Sequence, residues 1–190
     1  MNPEKYLGGV VNLRSVQLVI VGKDPYPNGA TRIPFHKSEG QFNYNCSGGV
    51  VLRAIGCDAV RSIQTCGNTL NLFLALRDVG IVFLNAIYRT QNVGRKIRKS
   101  HDFNALMDAY LKYNEAVLNK AQRVIYCGEA EKIRWINNGV LPHAYEGQAY
   151  KVLHPDLRNR RREEYEKWWS PGELQRKFGL ELPKGVMTRT

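Results

Sequence analysis

The stretch QLVIVGKDPYPNGATRIPF, Gln17 to Phe35, decides the fold. It opens inside an unbroken apolar run, VQLVIVG (Val16 to Gly22). A run with no polar alternation fits a strand buried on both faces, as in a parallel sheet. The run stops at Gly22, and Lys23, Asp24, Pro25, Tyr26 and Pro27 then crowd into the next turn. Pro25 fixes its own φ and restricts Asp24 before it. An acid and an aromatic ring are therefore held at a strand end before any substrate arrives, which limits reorganisation during a reaction.

Three further apolar runs read as strands: IVFLNA (Ile81 to Ala86), RVIYCG (Arg123 to Gly128) and AYKVLHP (Ala149 to Pro155). Helical periodicity fills the gaps. NTLNLFLALRDVG ends at Gly80, a helix stop. HDFNALMDAYLKYNEAVLNKA places Phe103, Leu106, Met107, Tyr110, Leu111 and Val117 mostly on one face. EAEKIRWI follows the third strand, and REEYEKWW and SPGELQRKFG read as helices near the C-terminus. Alternating strands and helices imply an α/β fold: a three-layer α/β/α arrangement around a central four-stranded, mainly parallel sheet. The 190 residues suit one domain spanning the whole chain.

In such sheets ligands bind outside the carboxyl ends of the strands. Those ends carry Lys23, Asp24 and Tyr26 after the first strand, Asn85 on the second, Cys127 and Gly128 on the third, and His154 on the fourth. An Asp, an Asn and a His are expected to converge on one edge.

Composition narrows the partner. The net charge of +11 points to nucleic acid or another anionic surface. The charge is clustered: RTQNVGRKIRK (Arg89 to Lys99) holds five cations and no acid, and RNRRR (Arg158 to Arg162) holds four. Each follows a strand end that carries a candidate site residue. Cys46, Cys57, Cys66 and Cys127 form no CxxC pair and fit no common zinc spacing, so reduced thiols are expected. No apolar run approaches a membrane span, and the first residues lack the apolar centre of a signal peptide. The expected setting is cytoplasmic, without a membrane.

The chemistry follows by elimination and then by complementarity. There is no GxSxG elbow, no GxGxxG and no P-loop. The Asp–Asn–His set lacks the ligands of a catalytic zinc, and no metal or other cofactor is expected. An amide pairs with the polar edge of a base, and an aromatic ring stacks on its face. An imidazole donates to an oxygen that gains negative charge as a bond breaks. A carboxylate stabilises a cationic sugar or positions a water. With a basic rim, a base-flipping enzyme is a coherent reading.

These stretches resemble a known family. GKDPYP resembles the water-activating motif of uracil-DNA glycosylases, usually GQDPYH. FLNA resembles their base-recognition strand. HPDLRNR resembles their His-Pro-Ser-Pro-Leu-Ser loop, and SHDF a Ser-His segment before their following helix. Order and spacing match from about residue 16 to 170. The variants DPYP with a later PF, and HPxxRxR, are most similar to the poxviral members.

The resemblance implies roles. Asp24 activates or orients the water and offsets charge on the sugar. Tyr26 walls off the C5 edge of the base and excludes thymine. Phe35 stacks on the base, Asn85 bonds its polar edge, and His154 stabilises the departing O2. The loop from Pro155 to Arg162 presses into the minor groove, with Arg158 where the family often has an intercalating Leu and Leu157 beside it. The residues expected on DNA are Lys23, Arg89, Ser100, His101, Leu157, Arg158 and Arg160. Lys23 replaces the usual Gln, and Pro27 replaces the usual His. The polar segment HKSEGQFNYNCSGG (His36 to Gly49) is unlike the family's short Pro-rich stretch and is expected to reshape the pocket mouth.

The leading expectation is a monomeric, monofunctional DNA glycosylase acting on a flipped pyrimidine in double- or single-stranded DNA, uracil by default. A second keeps the chemistry but takes a C5-modified cytosine of phage DNA, such as hydroxymethylcytosine or its glucoside, in antiviral defence. Asn85 does not decide between them, because an amide turns to serve either base. A third is a non-catalytic DNA-binding or processivity subunit, which has no need of Asp24, Asn85 and His154 together.

Overall fold

The computed structural model describes residues 4–10, 12–23, 33–37, 43, 45–86, 111–130, 149–160 and 162–186. Its centre is a four-stranded, all-parallel sheet in the order β2-β1-β3-β4. The strands are β1 (Leu18–Gly22), β2 (Ile81–Asn85), β3 (Val124–Cys127) and β4 (Ala149–Val152). Every residue of β1, β2 and β3 is buried. Successive strand side chains point to opposite faces, so complete burial means that both faces are covered. The expected α/β architecture is therefore what the chain adopts. The strands are shorter than the apolar runs: Val16 makes only an isolated bridge to Ala121.

The helices are α1 (Glu4–Val10), α2 (Ser47–Ala54), α3 (Ala59–Cys66), α4 (Thr69–Asp78), α5 (Leu111–Leu118), α6 (Glu163–Trp169) and α7 (Glu173–Phe178), with a 3₁₀ turn at Leu157–Asn159. Helix α4 is capped by Asn68, whose side chain accepts from the N–H of Asn71, and the chain turns out of it at Gly80 with φ 83°. No helix among the described residues is long and apolar enough to cross a membrane. The cysteines are free thiols, with Cys46, Cys57 and Cys127 buried.

Strand β2 lies at one edge of the sheet, where unpaired backbone groups need partners. Two helices supply them. The N–H of Phe83 donates to Tyr6 Oη of α1 at 2.9 Å, and Asn114 Nδ2 of α5 donates to the carbonyl of Asn85 at 2.8 Å. Tyr6, Phe73 and Phe83 are among the largest fully buried side chains. The rings of Phe73 and Phe83 lie 5.1 Å apart.

The segment from His36 to Gly49 is described in part. Its described residues belong to packing and capping. His36 is buried edge-on against Phe73 of α4, with centroids 5.0 Å apart. Asn43 Oδ1 accepts from the N–H groups of Asn45 and Cys46, and Cys46 Sγ accepts from Gly49 N at the start of α2. Ser47, Gly48 and Gly49 are buried in the first turn of α2. The polarity of 43–49 thus serves helix initiation, because the first N–H groups of a helix need acceptors. Residues 38–42 and 44 lie outside the described residues.

Burial pulls the pKa of His36 down to about 4. The unfolded chain, with an ordinary value near ~6.5, binds the proton more readily, so stability falls as pH drops from about 6.5 toward 4. The expected loss from this group is about 2 kcal/mol at pH 5 relative to pH 7.5. Urea unfolding at both pH values, for the wild type and His36→Gln, measures it. The variant's loss should be smaller by about that amount, and equal losses would refute the assignment.

Candidate active site

The carboxyl ends of the strands bring several sequence-predicted residues together. Gly22 ends β1 in register with Asn85 at the end of β2. Asn85 is buried, 1% exposed. A Cβ at position 22 would stand 3.1 Å from the Phe35 ring and 3.2 Å from Asn85 Oδ1. Glycine at this strand end lets a ring and an amide close over the backbone. Beyond β3, a Cβ on Gly128 would stand 3.1 Å from His154 Cβ. The N–H of Gly128 donates to the carbonyl of Val152 at 2.8 Å.

Phe35 is held by an unusual turn. The N–H of His36 donates to the carbonyl of Ile33 at 3.1 Å, closing a four-residue turn with Pro34 and Phe35 at its centre. Proline suits the second position of such a turn. Phe35 takes the third with φ 60°, the one positive-φ residue other than glycine among those described. This left-handed conformation favours Gly or Asn and costs a bulky residue about 1–3 kcal/mol. The ring so placed is buried, edge-on to Phe83 at 6.2 Å and tilted over His154 at 6.5 Å between centroids. Such strain clusters at functional sites.

His154 follows β4 on a pinned loop. Trp169 Nε1 of α6 donates to the carbonyl of Leu153 at 2.8 Å. The carbonyl of His154 itself accepts from the N–H of Asp156 at 2.7 Å and from Asn159 Nδ2 at 3.0 Å. The imidazole pKa is lowered, first by burial and then by the cations of Arg158 and Lys23, against the opposing pull of Asp156. The ring is thus neutral at neutral pH, and a neutral imidazole still offers one N–H donor.

Asp156 organises the basic loop. Its Oδ1 accepts from the N–H of Arg158 at 2.9 Å, and its Oδ2 pairs with the guanidinium at 3.0 and 2.6 Å. The Arg158 side chain is nevertheless 90% exposed, and Arg160 and Arg162 are exposed as well. Leu157, the other residue expected in the groove, is half-buried and packed on the core. Acids follow directly: Glu163, Glu164 and Glu166 occupy the first turn of α6, where the helix dipole favours negative charge.

Lys23 lies at the mouth of the site and pairs with Glu129, Nζ to Oε2 2.7 Å. Asp24, Tyr26, Arg89, Ser100 and His101 lie outside the described residues, as does the whole basic segment 89–99. Of the proposed set, the carboxyl edge thus gathers Lys23, Phe35, Asn85 and His154, with Arg158 and Arg160 beside them.

Two contributors were missed from sequence. Asn114 anchors Asn85 through its backbone; its signal is a polar residue on the apolar stripe formed by Val117 and Leu118 of α5. Glu129, the partner of Lys23, gave no signal beyond its place one residue after Gly128. A groove of about 890 Å³ lies at the opposite, amino edge of the sheet, lined by residues including Ser15, Gln17, Gln122 and Arg123. It holds none of the expected site residues. No family model matches the chain, and no curated protein matches its sequence.

Proposed function

We propose that the chain is a monofunctional DNA glycosylase of the uracil-DNA glycosylase type, hydrolysing the N-glycosidic bond of a flipped pyrimidine and leaving an abasic site. The observation that carries this reading is the meeting of Phe35, Asn85 and His154 at the carboxyl edge of the sheet, with Phe35 held there in a strained turn. Stacking, edge recognition and leaving-group stabilisation are the three tasks a flipped base sets.

In this reading the base lies against Phe35 while Asn85 bonds its polar edge. As the bond from C1′ to the base nitrogen breaks, the electron pair passes to the base and charge gathers on its O2. Neutral His154 donates to that oxygen. Asp24 balances the cationic sugar and directs a water, whose oxygen bonds to C1′ as its proton passes to the carboxylate and from there to solvent, while the departing base anion is protonated from solvent. Tyr26 screens the C5 edge. Uracil is the base expected by default.

The test uses duplex oligonucleotides carrying one uracil, thymine or 5-hydroxymethylcytosine, scored for alkali-labile sites. Cleavage at uracil and not at thymine is expected. Cleavage at hydroxymethylcytosine alone would move the assignment to a modified cytosine, and none at any base would refute glycosylase chemistry.

Phosphate contact by the loop after β4 has its own measurement. Each phosphate contact on duplex DNA steepens the dependence of log affinity on log salt by roughly 0.9. Replacing Arg158 and Arg160 with Ala together is expected to flatten that slope by about one to two units, for damaged and undamaged duplex alike. An unchanged slope would make the cluster a solubilising surface.

A further inference from the structure

The connections of β1 and β3 leave the sheet in opposite directions. β1 leads to β2 on one side, and β3 leads to β4 on the other. Neighbouring strands of this kind open a crevice at their carboxyl ends. An ion pair among the described residues spans that crevice: Lys23, directly after β1, and Glu129, two residues after β3, at 2.7 Å. Each member follows a glycine that packs on the candidate site. Gly22 lies against Phe35 and Asn85, and Gly128 lies against His154. The ammonium is the more sheltered partner, with 27% of its side chain exposed against 58% for the carboxylate. A charge in such a half-covered place acts through a lower effective dielectric than water and reaches further.

We propose, resting on the reading of the site as one for base release, that Lys23 is a positioning residue for His154, held across the β1–β3 crevice by Glu129 so that a fixed positive charge stands beside the imidazole and the departing base. Among the described residues, the charged groups bearing on His154 are Asp156 and Arg158 on its own loop and Lys23 from the end of β1. Helix α6 contributes Trp169, bonded to Leu153, and Tyr165, whose phenol burial pushes up in pKa; both are uncharged at neutral pH. Glu129 enters through Lys23. The two partners of the pair therefore act on His154 with opposite sign. Losing the ammonium makes the imidazole easier to protonate, and losing the carboxylate leaves the ammonium unbalanced and makes it harder.

The test titrates the His154 imidazole by NMR in the free full-length protein and measures single-turnover base release against pH. Lys23→Met should raise the His154 pKa by about 0.5 unit and Glu129→Gln should lower it by a similar amount. The acid limb of the rate profile should move the same way in each variant. Lys23→Met should also slow release roughly tenfold at neutral pH, less than the loss of a direct donor, while Lys23→Arg restores both the titration and the rate. Thermal unfolding midpoints confirm that each variant is folded. Shifts of the same sign, or none, in a protein that releases bases overturn the proposal and leave the functional reading standing. Opposite shifts in a protein that releases no base overturn the functional reading, and the role of Lys23 in release with it.

Discussion

Replacing His154 with Ala is expected to lower single-turnover base release by ~10² or more, the usual consequence of removing one preorganised donor aimed at developing charge. The effect belongs to the chemical step. The Cβ and backbone of His154 lie against Gly128, its ring is tilted over Phe35, and its carbonyl is tied by Asp156 and Asn159. The loop is thus held by backbone bonds that the substitution leaves in place. Duplex affinity and its salt dependence should change little, because His154 is assigned to the base and not to phosphate. Quenched-flow release of base by wild type and variant, with binding measured in parallel, separates the two effects. Release within threefold of wild type would remove His154 from the mechanism.

The second large effect separates two neighbouring phenylalanines. Phe83 occupies an ordinary strand position and is fully buried against Phe73 and Phe35. Phe83→Ala should cost about 3–5 kcal/mol in urea unfolding, the usual loss for a buried aromatic ring. Phe35 is nearly as buried, but its backbone sits at φ 60°. Phe35→Gly loses a comparable packing energy and regains about 1–3 kcal/mol of strain, so its net cost should be roughly half as large. Base release should respond in the opposite order. Phe35→Gly is expected to slow it by ~10² or more, because the stacking surface that orders the flipped base is gone. Equal stability costs would mean that the turn stores no strain. Unimpaired release would mean that Phe35 is only core.

The strands were legible because parallel burial leaves continuous apolar runs, and β1, β2 and β3 lie within them. Helix α4 was legible through its stop at Gly80. Helices α1 and α2 were not. Their sequences, EKYLGGV and SGGVVLRA, carry paired glycines and, in α2, β-branched residues of low helical propensity. Helix α2 is buried along almost its whole length, so no polar face marks a period and tertiary packing decides its conformation. In the site, Asn85 and His154 were legible because topology alone sends strand ends to one edge. The positive φ of Phe35 was not, since residues 33–36 contain no glycine to announce the turn. The Lys23–Glu129 pair was hidden for another reason: its members are 106 positions apart and meet only through the pairing of β1 with β3.

Release of a base by hydrolysis at this carboxyl edge leaves two products, a free base and an abasic strand. The most direct measurement is mass spectrometry of a uracil-containing duplex after incubation with the protein, quantifying free base and the state of the strand. Free uracil is expected in equal amount to abasic sites, with the strand intact until alkali is added and both products strongly reduced by His154→Ala. A strand that stays unmodified, or one that is nicked without release of free base, would contradict it.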